Sequence, residues 1–78
     1  MPGHAMPRYF FHVADGADLP DDEGTVLDDV AAARAEAITT AGALLKDRGA
    51  TFWGSGEWRM TVVDEAGDTV CLLRFTAE

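Results

Sequence analysis

Apolar and polar positions along the chain follow two rhythms, one of period two and one of helical period. The first begins at Pro7-Arg8-Tyr9-Phe10-Phe11-His12-Val13. Strand side chains alternate between faces, so Tyr9, Phe11 and Val13 point one way and Phe10 and His12 the other. A strand apolar on both faces calls for cover on both. Asp15-Gly16 breaks the pattern as a turn dipeptide does. Residues 17–23 are polar and include Pro20, and residues 24–27 read as a short second strand. The connection between the two is about ten residues, longer than the usual hairpin loop of 2–5. A loose antiparallel hairpin with an exposed acidic loop is expected.

The helical rhythm follows. Asp29 suits an N-cap, where a carboxylate accepts backbone N–H bonds and meets the positive end of the helix dipole. Ala31, Ala32, Ala33, Ala35, Ala37, Ala41 and Ala43 favour a helix. Val30, Ala33, Ala37, Ile38, Ala41, Leu44 and Leu45 form one apolar stripe. On this phase Leu44 is buried, and truncating it to alanine is expected to cost roughly 2–5 kcal/mol. Lys46 and Arg48 fall in the last turn, and Gly49 is expected to supply a left-handed cap.

The period-two pattern then returns. Trp58, Met60 and Val62 alternate with Arg59, Thr61 and Val63 in a third strand over 57–63. Asp64-Glu65-Ala66-Gly67 is a hairpin turn with Gly67 free to take positive φ. A fourth strand over 68–76 sets Cys71, Leu73 and Phe75 against Val70 and Leu72. The order β-β-α-β-β predicts a two-layer α+β domain: a four-stranded, mainly antiparallel sheet with one helix packed on one face. Residues 1–6 read as a flexible leader, 7–76 as one domain and 77–78 as a tail. One helix covers one face, so Phe10, His12, Val70 and Leu72 on the other form a candidate dimer face.

Composition narrows the function classes. The chain has 78 residues, which fits one domain. A domain this short buries only roughly 60% of its unfolded surface, and self-association is a common remedy. At 47% hydrophobic it is too apolar for a disordered chain. The net charge of −8 argues against direct nucleic acid or anionic membrane as partner, since both need a basic surface. Cys71 is the only cysteine, which excludes an intrachain disulfide and fits a reducing, cytoplasmic setting.

Several segments together resemble a known family: the opening Met6-Pro7-Arg8-Tyr9-Phe10-Phe11-His12-Val13, then Asp15-Gly16, Asp22-Glu23-Gly24, the alanine helix from Asp29, Trp58, and the hairpin Val63-Asp64-Glu65-Ala66-Gly67. In combination they resemble a family of small proteins from rhizobia and related α-proteobacteria, a domain of unknown function of the DUF6894 type. The resemblance covers residues 6–75. It implies a bacterial cytosolic origin and carries no established activity or catalytic residue. At the level of topology the chain is also similar to HicB-like antitoxin domains.

Three features are candidates for chemistry. His12, with Asp15 three residues on, reads either as a titrating group poised by a carboxylate or as a sheet-face histidine bonded to a neighbour. Asp15, Asp18, Asp21, Asp22, Glu23, Asp28 and Asp29 are seven of the fourteen acids, with no Lys or Arg between Arg8 and Arg34. That run reads as a solvated edge, as a docking patch for a basic partner, or as a calcium site, although its spacing is not that of an EF-hand. Trp53, beside Phe52, reads as an exposed anchor or as packing over the helix end. Gly54-Ser55-Gly56 lacks the lysine and glycine spacing of a phosphate loop. No catalytic residue, metal or cofactor is expected.

The sequence thus points to a small cytoplasmic, non-enzymatic protein-interaction module. It is expected to be homodimeric, with an acidic docking edge of Asp18, Asp21, Asp22 and Glu23 for a basic protein. The rival is an antitoxin-like or regulatory subunit that neutralises a basic toxin or a nucleic-acid-binding protein. A small ligand-binding protein or enzyme using His12 stands third.

Overall fold

The structure, a computed structural model, describes residues 7–49, 52 and 56–77. The expected leader, Trp53, the Gly54-Ser55 pair and Glu78 lie outside the described residues. The elements are β1 (Arg8–Ala14), β2 (Asp18–Leu19), β3 (Thr25–Val26), α1 (Val30–Lys46), β4 (Glu57–Val63) and β5 (Thr69–Thr76). The chain is α+β, with one helix packed on an open antiparallel sheet. The sheet order is β2-β1-β4-β5, and β3 also pairs with β1.

The sheet has five strands where the pattern predicted four. The added one, β2, lies within the stretch read as loop. Its two residues are exposed and carry no apolar alternation, so backbone pairing is its only signature. Val13 pairs with Leu19 and Ala14 with Asp18, whereas Arg8 pairs with Val26 and Tyr9 with Thr25. One broken strand therefore flanks β1, and residues 20–24 loop out opposite residues 10–12.

The face assignment of the longer strands holds. Tyr9, Val13, Trp58, Met60 and Val62 are buried beneath the helix. Trp58 stands opposite Phe75, their rings edge to face at 5.7 Å. Between β4 and β5 the chain turns on Asp64. Its Oδ1 accepts from the N–H groups of Ala66 (2.9 Å) and Asp68 (3.0 Å), and Gly67 takes φ 89°. A bulge follows: Val62 pairs with Cys71 and Val63 with Thr69, which leaves Val70 out of register.

Asp29 caps α1 as expected, with Oδ1 accepting from the Ala32 N–H at 2.8 Å. The buried stripe is narrower than the pattern suggested. Ala33, Ala37 and Ala41, four residues apart, are at most 1% exposed, while Ile38 is 60% and Leu44 42% exposed. Small side chains let the helix axis come close to the sheet, and that approach turns its larger residues outward. Gly49 does not supply a left-handed cap. The helix ends at Asp47 in right-handed conformation, and Arg48 leaves it to pair with Asp15 at 2.6 Å. That pair ties the helix end to the end of β1.

Two substitutions test this phase by urea denaturation. Ala37→Leu should cost about 1–3 kcal/mol, because a fully buried alanine has no room for three more carbons. Leu44→Ala should cost within about 0.5 kcal/mol, the range of an exposed position. A large loss at Leu44 would restore the wider stripe.

Candidate functional site

The mismatch of residues 10–12 against 20–24 creates a gap in the ladder, and Asp21 fills it. Its Oδ2 accepts the Phe11 N–H at 3.1 Å. Its Oδ1 accepts the N–H groups of Glu23 (3.1 Å) and Gly24 (3.0 Å). The carboxylate thus does what a neighbouring strand's carbonyl would do, and closes the loop as an Asx turn. Burial by itself pushes the Asp21 carboxyl up. The backbone bonds from Gly24, Phe11 and Glu23 work against burial, and the carboxyl is held below the usual carboxylate range.

The Asp21 N–H donates in turn to His12 Nδ1 at 3.0 Å. A backbone N–H is always a donor, so Nδ1 must be an acceptor, and the neutral ring carries its proton on Nε2. His12 is therefore bonded to a neighbour in its own chain. Asp15, the carboxylate expected to poise it, is instead held by Arg48.

Gly24 closes the loop at φ +72°. A Cβ there would stand 2.8 Å from Arg8 Cγ and 2.9 Å from both Phe10 Cε2 and the Tyr9 carbonyl oxygen. The loop so packed covers part of Phe10, which also stacks on His12 at 6.4 Å. The Arg8 guanidinium reaches the Glu23 carbonyl at 2.7 Å and adds a further tie.

The expected dimer face is thereby only partly brought together. The register places His12, Thr61 and Leu72 in one row across β1, β4 and β5, with Phe10 beside Val63 in the next. Leu72 is exposed, whereas Phe10 and His12 are half-buried by their own chain. Val70, at the bulge, packs against the core cluster. The same face carries two arginines that were not singled out. Arg59 and Arg74 stand directly opposite, and like charges so placed repel. Glu57 lies between them, 3.6 Å from Arg59 and 3.9 Å from Arg74.

The expected acidic edge divides by role. Asp18, Asp22 and Glu23 are exposed, and among the described residues none of their carboxylates accepts a hydrogen bond. Asp21 is half-buried and structural. Among the described residues no group of three His, Cys, Asp or Glu could hold a metal ion, and no helix is long and apolar enough to cross a membrane. Cys71 is a half-buried free thiol. Burial pushes its pKa up against the pull of Arg34, which disfavours the nucleophilic thiolate.

A two-layer α+β domain with one broken edge strand is the class these features define. The chain belongs to the DUF6894 family, a domain of unknown function whose family model matches residues 8–76. No curated protein and no solved structure matches it.

Asp21→Asn should destabilise the fold by about 1–3 kcal/mol, since an amide nitrogen cannot accept the bonds one carboxylate oxygen now takes. The pH dependence has a definite sign. A carboxyl with a depressed native pKa contributes stability that is full above its unfolded pKa and is lost as pH falls through the native one. The advantage of wild type over Asp21→Asn should therefore be greatest at neutral pH and shrink below about pH 4. Denaturation at a series of pH values measures it.

Gly24→Ala should cost more than about 1 kcal/mol, because alanine at this φ is strained and its methyl meets backbone. Thermal unfolding of the variant beside wild type checks it.

Proposed function

We propose that the chain is a small non-enzymatic interaction module of the bacterial cytosol. It self-associates and docks a basic protein on the acidic edge beside β1. The observation that supports this reading is the anchoring of that edge. Asp21 and Arg8 hold residues 20–24 against β1, and Asp18 pairs with Ala14, so exposed Asp18, Asp22 and Glu23 are displayed on a fixed backbone. A fixed display lowers the ordering cost of binding, and a cluster of one sign steers an oppositely charged partner. Asp21 itself is anchor and not contact.

The test follows from that division. Affinity capture from the native bacterium identifies the partner, and stopped-flow mixing measures its association. Changing Asp18, Asp22 and Glu23 to Asn or Gln should slow association about tenfold at low salt and leave dissociation nearly unchanged. Unfolding free energy should shift by less than about 0.5 kcal/mol, because Asp21 is kept. A partner whose association is unchanged, with the same salt dependence, would remove the docking role from this edge.

A further inference from the structure

The sheet face turned away from the helix carries a shallow cleft of about 370 Å³, lined by His12, Ala14, Asp18, Arg59 and Thr61 among others. A second hollow of about 300 Å³ shares Ala14, Asp18 and Arg59 with it and extends to Glu57. The strand register explains the depression. Asp18 stands opposite Ala14, Ala14 opposite Arg59 and Arg59 opposite Arg74, so the four make one row on one face. Neighbouring strands lie about 5 Å apart, which sets the Asp18 and Arg59 backbones about 10 Å apart with only the Ala14 methyl between them. His12 and Thr61, opposite each other, make the next row on that face.

The polar groups around the cleft have hydrogen-bonding capacity to spare. His12 Nδ1 is taken by the Asp21 N–H, so the ring's remaining hydrogen-bonding atom is the Nε2–H donor. Among the described residues nothing accepts from it, and the Thr61 hydroxyl makes no hydrogen bond. The Arg59 guanidinium stands 3.6 Å from Glu57, too far for a hydrogen bond. Asp18 is exposed, and its carboxylate pairs with no cation among the described residues. A cation and an anion thus line one small hollow from opposite sides, with two neutral donors beside them.

We infer that this cleft binds a small zwitterion, an α-amino acid, with its carboxylate on Arg59 and its ammonium on Asp18. Arg59 offers paired N–H donors in the geometry a carboxylate accepts, and Thr61 and His12 Nε2 add donors for the same oxygens. Asp18 accepts from the ammonium. The two charges decide the ligand class together. Asp18 and Glu57 repel a simple anion, and Arg59 with Arg74 beside it repels a simple amine. A molecule that carries both signs on one carbon meets a partner for each. Its carboxylate also offsets the repulsion between Arg59 and Arg74, which Glu57 answers only at 3.6 and 3.9 Å. The ligand's side chain has room along the cleft toward Pro20. The site belongs to the single chain and does not rest on docking or self-association.

The experiment is a two-dimensional NMR titration of the whole chain, alone, with L-alanine. Amide shifts at residues 12–14, 18–20 and 59–61 should move together and saturate, with a Kd of about 1 mM. N-acetyl-L-alanine lacks the ammonium and L-alaninamide lacks the carboxylate, so each should bind at least about tenfold more weakly. Arg59→Gln removes the cation and relieves the repulsion with Arg74, so it should keep the wild-type circular dichroism and weaken L-alanine at least about tenfold. Asp18→Asn should do the same, whereas Asp22→Asn, on the same edge but outside the cleft, should leave the Kd unchanged. Shifts that rise linearly without saturating overturn the site. Equal binding of N-acetyl-L-alanine or L-alaninamide overturns the zwitterion as ligand. Undiminished binding by Arg59→Gln, or equal weakening by Asp22→Asn, overturns the assigned contacts. No partner protein is present in this titration, so its outcome is separate from that of docking on the acidic edge.

Discussion

The carboxylate of Asp21 is the interaction on which the hairpin side of this domain depends. β1 is an inner strand, and its outer neighbour carries two residues too many. Such an excess leaves a part-buried N–H without its ladder partner, at a cost that approaches a lost hydrogen bond. Asp21 turns inward and supplies the missing acceptor to Phe11, while its second oxygen gathers the loop. A neutral side chain could not do both, because three N–H donors converge on one group. The ionised form is stabilised by that convergence, which is why it stays charged while half-buried. The remaining features of the edge follow. Gly24 must take positive φ to let the loop return, Phe10 gains cover from within the chain, and His12 becomes an acceptor for the Asp21 N–H.

The helix side is governed by size and not by charge. Ala33, Ala37 and Ala41 let α1 rest close on Trp58, Met60 and Val62. Close approach along a line of alanines leaves little of the helix circumference buried. Ile38 and Leu44 sit beyond that line and remain exposed. A leucine-rich stripe would have stood the helix farther from the sheet and enclosed more of its flank. The exposed flank, Gly42 included, is thus a consequence of the alanine packing, and it lies beside the one long sheet edge.

Much of this was legible before the structure. Alternation set the faces of β1, β4 and β5, because each strand carries three or more large apolar residues at period two. Asp29 and Gly67 were legible because their chemistry is local. Three things were not. β2 has two exposed residues, too few for any period. The stripe read for the helix held the three buried alanines, but it also took in Ile38 and Leu44, which the close alanine packing leaves exposed. Asp21 looked like its neighbours Asp18 and Asp22, since composition does not separate a carboxylate that bonds backbone from one that meets water. The available signal was Asp21 three residues before Gly24 and one after Pro20, the signature of an Asx-closed loop.

The segments by which the chain resembles its family serve mostly to hold it together. Asp15 anchors Arg48, Gly24 packs on Phe10, Asp29 caps the helix, Trp58 fills the core and Gly67 turns the last hairpin. Each has a sufficient physical reason in the fold. Asp22 and Glu23 are the exceptions, since their side chains are exposed while the backbone between Asp21 and Gly24 is fixed. The side chains that the fold leaves exposed are the ones free to meet another molecule. They include acids together with Leu19 and Val26 along the broken edge, and Ile38, Leu72 and Phe75 in or beside the acid-free β5. The two edges differ in charge: the broken one displays Asp18, Asp22 and Glu23, while β5 carries no acid.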